Sequence, residues 1–284
     1  MQAKLQGKGP AAPELILCSC EKELMLVLLD RGSLVASQVW AIQDRSTELL
    51  APSIKQMLSL AGYKVSDLAG IGCVRGPGSF TGTRLVLATA QALRRGSGAK
   101  LAALDYLDAL AATLVLNREL QAGVPLWILT HARRNLVHAK AYVSQGADVP
   151  ALVQEDVRLL SCDKAVQEVR RTAEDRKAAV LVAGSALSRD PEIVQLTAEA
   201  QSQGQDQDIL LSSVRRPSVE ALMLLHKHGT FAEEDILPLY IRPCDAVENL
   251  PSLSERMGKN PDEAVSDLGR LLARTPGDRV GVED

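Results

Sequence analysis

Three glycines within ten residues, Gly76, Gly78 and Gly82 in the stretch Arg75 to Arg84, form the part of this chain most suited to ligand chemistry. A glycine-rich turn between a strand and a helix can aim backbone N–H groups at an anion. Ser79 is a natural cap for the following helix, and Thr81 adds a hydroxyl, so Gly76, Gly78, Ser79, Thr81 and Gly82 make a candidate anion-binding loop. Two familiar phosphate grips do not fit. A Walker A loop needs Lys after its last glycine, whereas Gly82 is followed by Thr83 and Arg84; a dinucleotide fingerprint allows one residue fewer between Gly78 and Gly82. Chemistry alone therefore leaves two readings, an anion site and a tight structural turn, with the turn preferred.

Other reactive groups are sparse. Cys18 and Cys20 alternate on one expected strand, but two soft ligands without a second pair make a poor metal site, and a buried apolar role is the simpler reading. The histidines are His131, His138, His226 and His228. His226 and His228 lie two apart on an expected helix and so point to different sides, while His131 and His138 flank a hairpin turn and could face each other. Ser79 lacks the setting of a hydrolase nucleophile, because Phe80 and Thr81 follow it. No catalytic residue and no metal ligand is assigned.

Composition narrows the function classes. The formal net charge is −3 and there is no basic stripe, so direct grip on RNA phosphates is not expected. Five irregularly spaced cysteines and no signal peptide suggest reduced thiols and a cytoplasmic location, and no apolar run is long enough to span a membrane. Aromatic residues are only 3%, so the core must be built from Leu, Val, Ile and Ala.

The elements that would position the loop follow from residue periodicity. Segments 14–20, 24–30 and 33–42 read as a three-stranded antiparallel meander, with Asp30-Arg31-Gly32-Ser33 as a turn. Ser46 or Thr47 can cap a helix running to Leu60, with Gly62 at its exit. A buried strand at 68–74 leads into the glycine loop and a helix to about Arg95, dense in small residues (Ala88, Thr89, Ala90, Ala92). A short strand at 101–104 and a helix opened by Asp105 complete a β-β-β-α-β-α-β-α order, that of an RNase H-like domain. After a linker at 117–123 a similar grammar restarts, which suggests an internal duplication. The expected division is a disordered tail 1–13, one domain at 14–116, a second at 124–247, and a polar tail 248–284. In that tail Asn260 and Pro261 start a short amphipathic helix.

The run Gly76-Pro77-Gly78-Ser79-Phe80-Thr81-Gly82-Thr83-Arg84-Leu85 resembles the signature of the bacterial TsaB (YeaZ) family, the dimerization subunit of the machinery that makes threonylcarbamoyladenosine (t6A) in tRNA. His131-Ala132-Arg133 and Pro238-Leu239-Tyr240-Ile241-Arg242-Pro243 support it, and the resemblance spans about 14–247. It implies an α/β fold of two RNase H-like/actin-like (ASKHA) domains with mixed sheets. It also implies a non-catalytic subunit that binds and activates a TsaD-like catalytic subunit, joined by a TsaE-like ATPase. Contact with tRNA would be only indirect, and a homodimer is a further possibility. By this resemblance the partner surface is the first two helices, with Leu49, Leu50, Ile54, Met57, Phe80, Arg84, Leu85, Ala88 and Ala90 as its residues.

The chain departs from actin-like ATP-binding relatives where it should hold metal and phosphate. An Asp followed by hydroxyl residues is replaced by Cys18-Ser19-Cys20, and a thiol is a poor ligand for Mg²⁺. No cofactor is therefore expected in this subunit, with ATP and Mg²⁺ used by its partners. The alternative function is a nucleotide-dependent ATPase or kinase of the actin-like class.

Overall fold

The computed structural model describes residues 11–41, 45–202, 208–241 and 250–273. Expectations that concern 1–10, 242–249 and 274–284, including Arg242, Pro243 and Cys244, lie outside these. The chain forms two compact units, 1–241 and 242–284.

The first unit holds two mixed sheets built on one plan. Strands β1 (Pro13–Cys18), β2 (Glu23–Asp30) and β3 (Ser33–Ala41) form the expected antiparallel meander, and β4 (Gly70–Val74) and β5 (Lys100–Leu104) add to β1 in parallel. In the second sheet β6 (Pro125–Arg133), β7 (Leu136–Val143) and β8 (Leu152–Ser161) repeat the meander, and β9 (Val180–Ala183) and β10 (Ile209–Leu211) repeat the parallel addition. The spatial orders β3-β2-β1-β4-β5 and β8-β7-β6-β9-β10 are the same, which is the duplication expected from the sequence and the actin-like arrangement. A two-residue strand, β11 (Phe231–Ala232), returns to extend the first sheet along β5. The first sheet therefore takes a strand from far beyond residue 116.

Helices cover the faces. Helices α1 (Ser46–Ala61) and α2 (Phe80–Ser97) pack on one face of the first sheet; α4 (Cys162–Arg176), the single turn α5 (Ala186–Arg189) and α6 (Pro191–Ser202) belong to the second. Helices α3 (Tyr106–Arg118) and α7 (Val219–His228) lie in the layer shared by both sheets. Alternation along β1 and β2 serves two cores: Leu15, Leu17, Leu24, Leu26 and Leu28 face α1 and α2, whereas Ile16, Met25, Val27 and Leu29 face the shared layer. One start signal differs from expectation: Ser46 is the first helical residue of α1 rather than its cap, because Arg45 occupies that position without a capping bond. Asp105 opens α3 as expected, at the N-cap position, with its carboxylate engaged by Arg75 rather than by the helix. Gly62 does close α1 in the left-handed conformation that favours glycine, at φ 79°.

The second unit contains α8 (Leu250–Arg256) and α9 (Pro261–Ala273). Asn260 caps α9 as expected, accepting from the Asp262 N–H at 2.9 Å, and Pro261 is the first helical residue.

Helix α3 is apolar on nearly every side, as a helix between two layers must be. Its polar exceptions are paired. Asp108 accepts from Lys140 Nζ and from the Tyr142 hydroxyl, each at 2.7 Å, and Asp105 pairs with Arg75 at 2.6 Å. Burial, with Asp108 beside it, holds the Tyr142 hydroxyl well above its usual range, so it stays a donor. Replacing Lys140, which is 6% exposed, by Met removes the partner of Asp108 while filling the space. We expect Lys140→Met to destabilise the fold by about 3 kcal/mol, read by urea denaturation, and Asp108→Asn in the same background to restore part of it.

Candidate functional site

The glycine loop leaves β4 and enters α2 with its backbone packed against the turn after β1. The Ser79 N–H donates to the Cys20 carbonyl at 2.5 Å. A Cβ at Gly78 would lie 2.1 Å from the Cys20 oxygen, and one at Gly82 2.3 Å from the Ser19 oxygen. Both glycines are thus required by backbone contact rather than by ligand access. Ser79 caps α2 as expected, its hydroxyl accepting from the Gly82 N–H at 3.2 Å, while the Thr83 N–H goes to the Ser79 carbonyl at 2.9 Å. Three loop N–H groups are therefore consumed inside the protein. Thr81 is exposed, and the Gly76 carbonyl accepts from the Tyr106 N–H at 2.8 Å. This geometry favours the structural turn.

The expected partner residues separate into two sets. Phe80, Arg84 and Ala88 are exposed along one line of α2, and Leu49 and Leu85 are half-buried. Leu50, Ile54, Met57 and Ala90 are 0 to 4% exposed and belong to the core under the first sheet. That part of the expectation is corrected: their helical periodicity marks the face that packs on the sheet, not the face offered outward. Between the two helices runs a groove of ≈ 460 Å³, lined by Ala51, Lys55, Leu58, Tyr63, Thr89 and Leu93.

A feature that sequence reading missed borders this surface. Residues 233–240 run along α2 as a strap. Arg94 donates to the carbonyls of Glu233 and Glu234, Arg95 pairs with Asp235 at 2.5 Å, and Gln91 donates to the Ile236 carbonyl at 2.9 Å. At the end of the strap Tyr240 stacks on Phe80 with centroids 5.5 Å apart, and the Arg84 guanidinium lies 3.6 Å over the Phe80 ring while donating to the Tyr240 hydroxyl. The available signal was the acidic run Glu233-Glu234-Asp235 facing the basic pair Arg94-Arg95.

A second concavity, of ≈ 420 Å³, lies beside the β1–β2 turn and is lined by Cys18, Cys20, Tyr106, Ser185, Arg189 and Arg215 among others. Cys18 and Cys20 are buried, and burial pushes the Cys20 thiol well up, as an inert core cysteine should be. Glu21, which the sequence did not single out, accepts from the Ser185 hydroxyl and from the Tyr106 hydroxyl, the latter at 3.3 Å, and so joins the first sheet's turn to the second sheet. Burial raises its pKa above the ordinary carboxylate value, partly opposed by Ser185, Arg189 and Tyr106. The histidines do not gather. His138 pairs across from Thr130 and His131 from Val137, so adjacent positions put the two rings on opposite faces of the sheet. His131 Nδ1 meets Asp190 at 2.8 Å; His226 lies buried 3.3 Å from Glu14, and His228 approaches the Asp148 carbonyl on another side of α7.

The family model described as TsaD, tRNA N6-adenosine threonylcarbamoyltransferase, matches residues 41–186, just over half of the chain. Among solved structures, an uncharacterized protein with similarity to peptidase YEAZ from Pseudomonas aeruginosa is 22% identical at a TM-score of 0.65, covering 81% of this chain and 100% of its own. YeaZ from Pseudomonas aeruginosa is 20% identical at a TM-score of 0.60, covering 81% of this chain and 99% of its own. No curated protein sequence matches.

Two outcomes follow from this geometry. Gly82→Ala must push the loop off the Ser19 carbonyl and is expected to cost about 2–3 kcal/mol, whereas Gly96→Ala, whose Cβ meets only Val65 at 3.9 Å, should be neutral or stabilising by up to about 1 kcal/mol in the same denaturation assay. Because the Glu21 pKa is raised on folding, the folded state holds that proton more tightly, and stability falls as pH rises from the ordinary carboxylate pKa through the folded one. Thermal denaturation should therefore show Glu21→Gln more stable than the parent near about pH 7, with the gain gone near about pH 4.

Proposed function

Because the chain belongs to the TsaD family and has the fold of the YeaZ structures, we propose that it acts as a TsaB-type partner subunit. In this role it is a non-catalytic scaffold that binds and activates a TsaD-type catalytic subunit for threonylcarbamoyl transfer to adenosine 37 of tRNA. The carrying observation is the outward line Phe80, Arg84 and Ala88 on α2, beside the groove between α1 and α2. A small residue at Ala88, flanked by an aromatic and an arginine, lets a partner helix approach closely while offering anchor groups at one end.

The catalytic subunit in this system holds its metal through a His-x-x-x-His pair, and none of the four histidines here lie four apart. With a net charge of −3, tRNA is held by the partner rather than by this chain. A TsaE-like ATPase joins the pair, and the assembly works in the cytoplasm; among the described residues no helix is long and apolar enough to cross a membrane. The competing reading, a nucleotide-dependent ATPase or kinase, needs metal and phosphate at Cys18-Ser19-Cys20, where thiols stand and the glycine loop's backbone closes on the Cys20 carbonyl.

Co-purification with the TsaD-type subunit tests the proposal. Ala88→Arg should abolish the complex while changing the stability of the free chain by less than about 0.5 kcal/mol. Ala90→Arg, by contrast, should unfold the chain, since Ala90 is 0% exposed. Full retention of the complex by Ala88→Arg would sink the α2 surface. A homodimer formed through the same helices would be lost in parallel and would show in sedimentation of the chain alone.

A further inference from the structure

On the second sheet, away from the glycine loop and the α1–α2 groove, three metal-binding donors converge from separate points in the sequence. Cys162 opens α4, Asp190 follows α5 and Glu192 stands in the first turn of α6. The Cys162 Sγ and one carboxylate oxygen from each acid all lie within 4.8 Å of one another. Cys162 and Asp190 are buried and Glu192 is exposed, so the cluster has a closed floor and an open side.

Two further observations point to a cation. Cys162 is 0% exposed and is not in a disulfide, and its buried sulfur lies within 4.8 Å of a carboxylate oxygen of each acid. Among the described residues, too, no Lys or Arg pairs with Asp190 or Glu192. Asp190 has instead a neutral or cationic ring at hand, His131 Nδ1, at 2.8 and 2.9 Å from its two oxygens. That contact fixes the direction of the carboxylate, as outer-shell partners of metal ligands do.

We propose that Cys162, Asp190 and Glu192 bind a divalent cation of the zinc type, with His131 as the positioning residue for Asp190. One sulfur and two oxygen donors suit a borderline-soft tetrahedral ion and are wrong for Mg²⁺ or Ca²⁺, which take oxygen ligands. Water would fill the fourth position on the open side, next to Glu192. On binding, the thiol proton leaves to solvent and the thiolate coordinates the ion, so uptake releases a proton. The ion would tie the starts of α4 and α6 together, beside the end of β6 that carries His131. This reading is independent of partner binding on the first sheet.

The full chain, stripped with chelator and titrated with Co²⁺ under reducing conditions, tests the site. A saturable thiolate-to-cobalt charge-transfer band at one equivalent is expected, displaced by Zn²⁺ and absent in Cys162→Ser. Glu192→Gln, an exposed change that does not threaten folding, should weaken binding at least about tenfold, and His131→Gln by about 10–100-fold. Cys18→Ser should leave the band intact. The proposal is overturned by the lack of any band, by a band that survives Cys162→Ser, or by unchanged affinity in Glu192→Gln.

Discussion

The fold depends on placing a helix, α3, where it has almost no solvent face. Wedged between two sheets, α3 must be apolar almost all round, and Leu107, Leu110, Leu114 and Val115 meet that demand. Asp105 and Asp108, partly buried at the rim of that layer, carry charges that need partners there. Arg75 from the exit of β4 and Lys140 from β7 supply the pairs, so one short helix is tied to both sheets by charge as well as by packing. Thr113 adds a third tie, accepting from the Ser218 N–H at the start of α7 at 2.9 Å. The apolar layer makes the two halves stick; the polar rungs set their register.

The same economy governs the glycine loop. A strand, a glycine turn and a helix start are the parts of a phosphate grip, but here the turn is pressed against another backbone. Gly78 and Gly82 meet the carbonyls of Cys20 and Ser19, and the N–H groups of Ser79, Gly82 and Thr83 are already used. The helix it launches then presents Phe80, Arg84 and Ala88 outward.

Much of this architecture was legible in the sequence. The meander, the Asp30-Arg31-Gly32-Ser33 turn, the Ser79 cap and the repeated strand grammar all rest on local signals: period-two apolarity, a turn that accepts positive φ at Arg31 and Gly32, and a hydroxyl before a helix. What was not legible depends on distant partners. Helical periodicity showed that Leu50, Ile54, Met57 and Ala90 share faces, but not whether those faces look inward, and they do. Glu21 gave no signal at all, because its significance comes from Ser185 and Tyr106, far along the chain. The His131–His138 juxtaposition failed on register: a one-residue offset moves a side chain across the sheet.

The strap and β11 bear on how the molecule comes into being. β5 receives its outer neighbour from Phe231 and Ala232, and α2 receives the Glu233 to Tyr240 strap, both made long after the rest of the first sheet. During synthesis the first half must therefore emerge with an open edge at β5 and an uncovered flank on α2. Such long-range closure is slow, and exposed strand edges invite wrong pairing while they last. Vectorial synthesis thus leaves the second half to seal the first, and a nascent chain halted between β10 and α7 would hold a complete set of parallel strands with nothing yet guarding the β5 border.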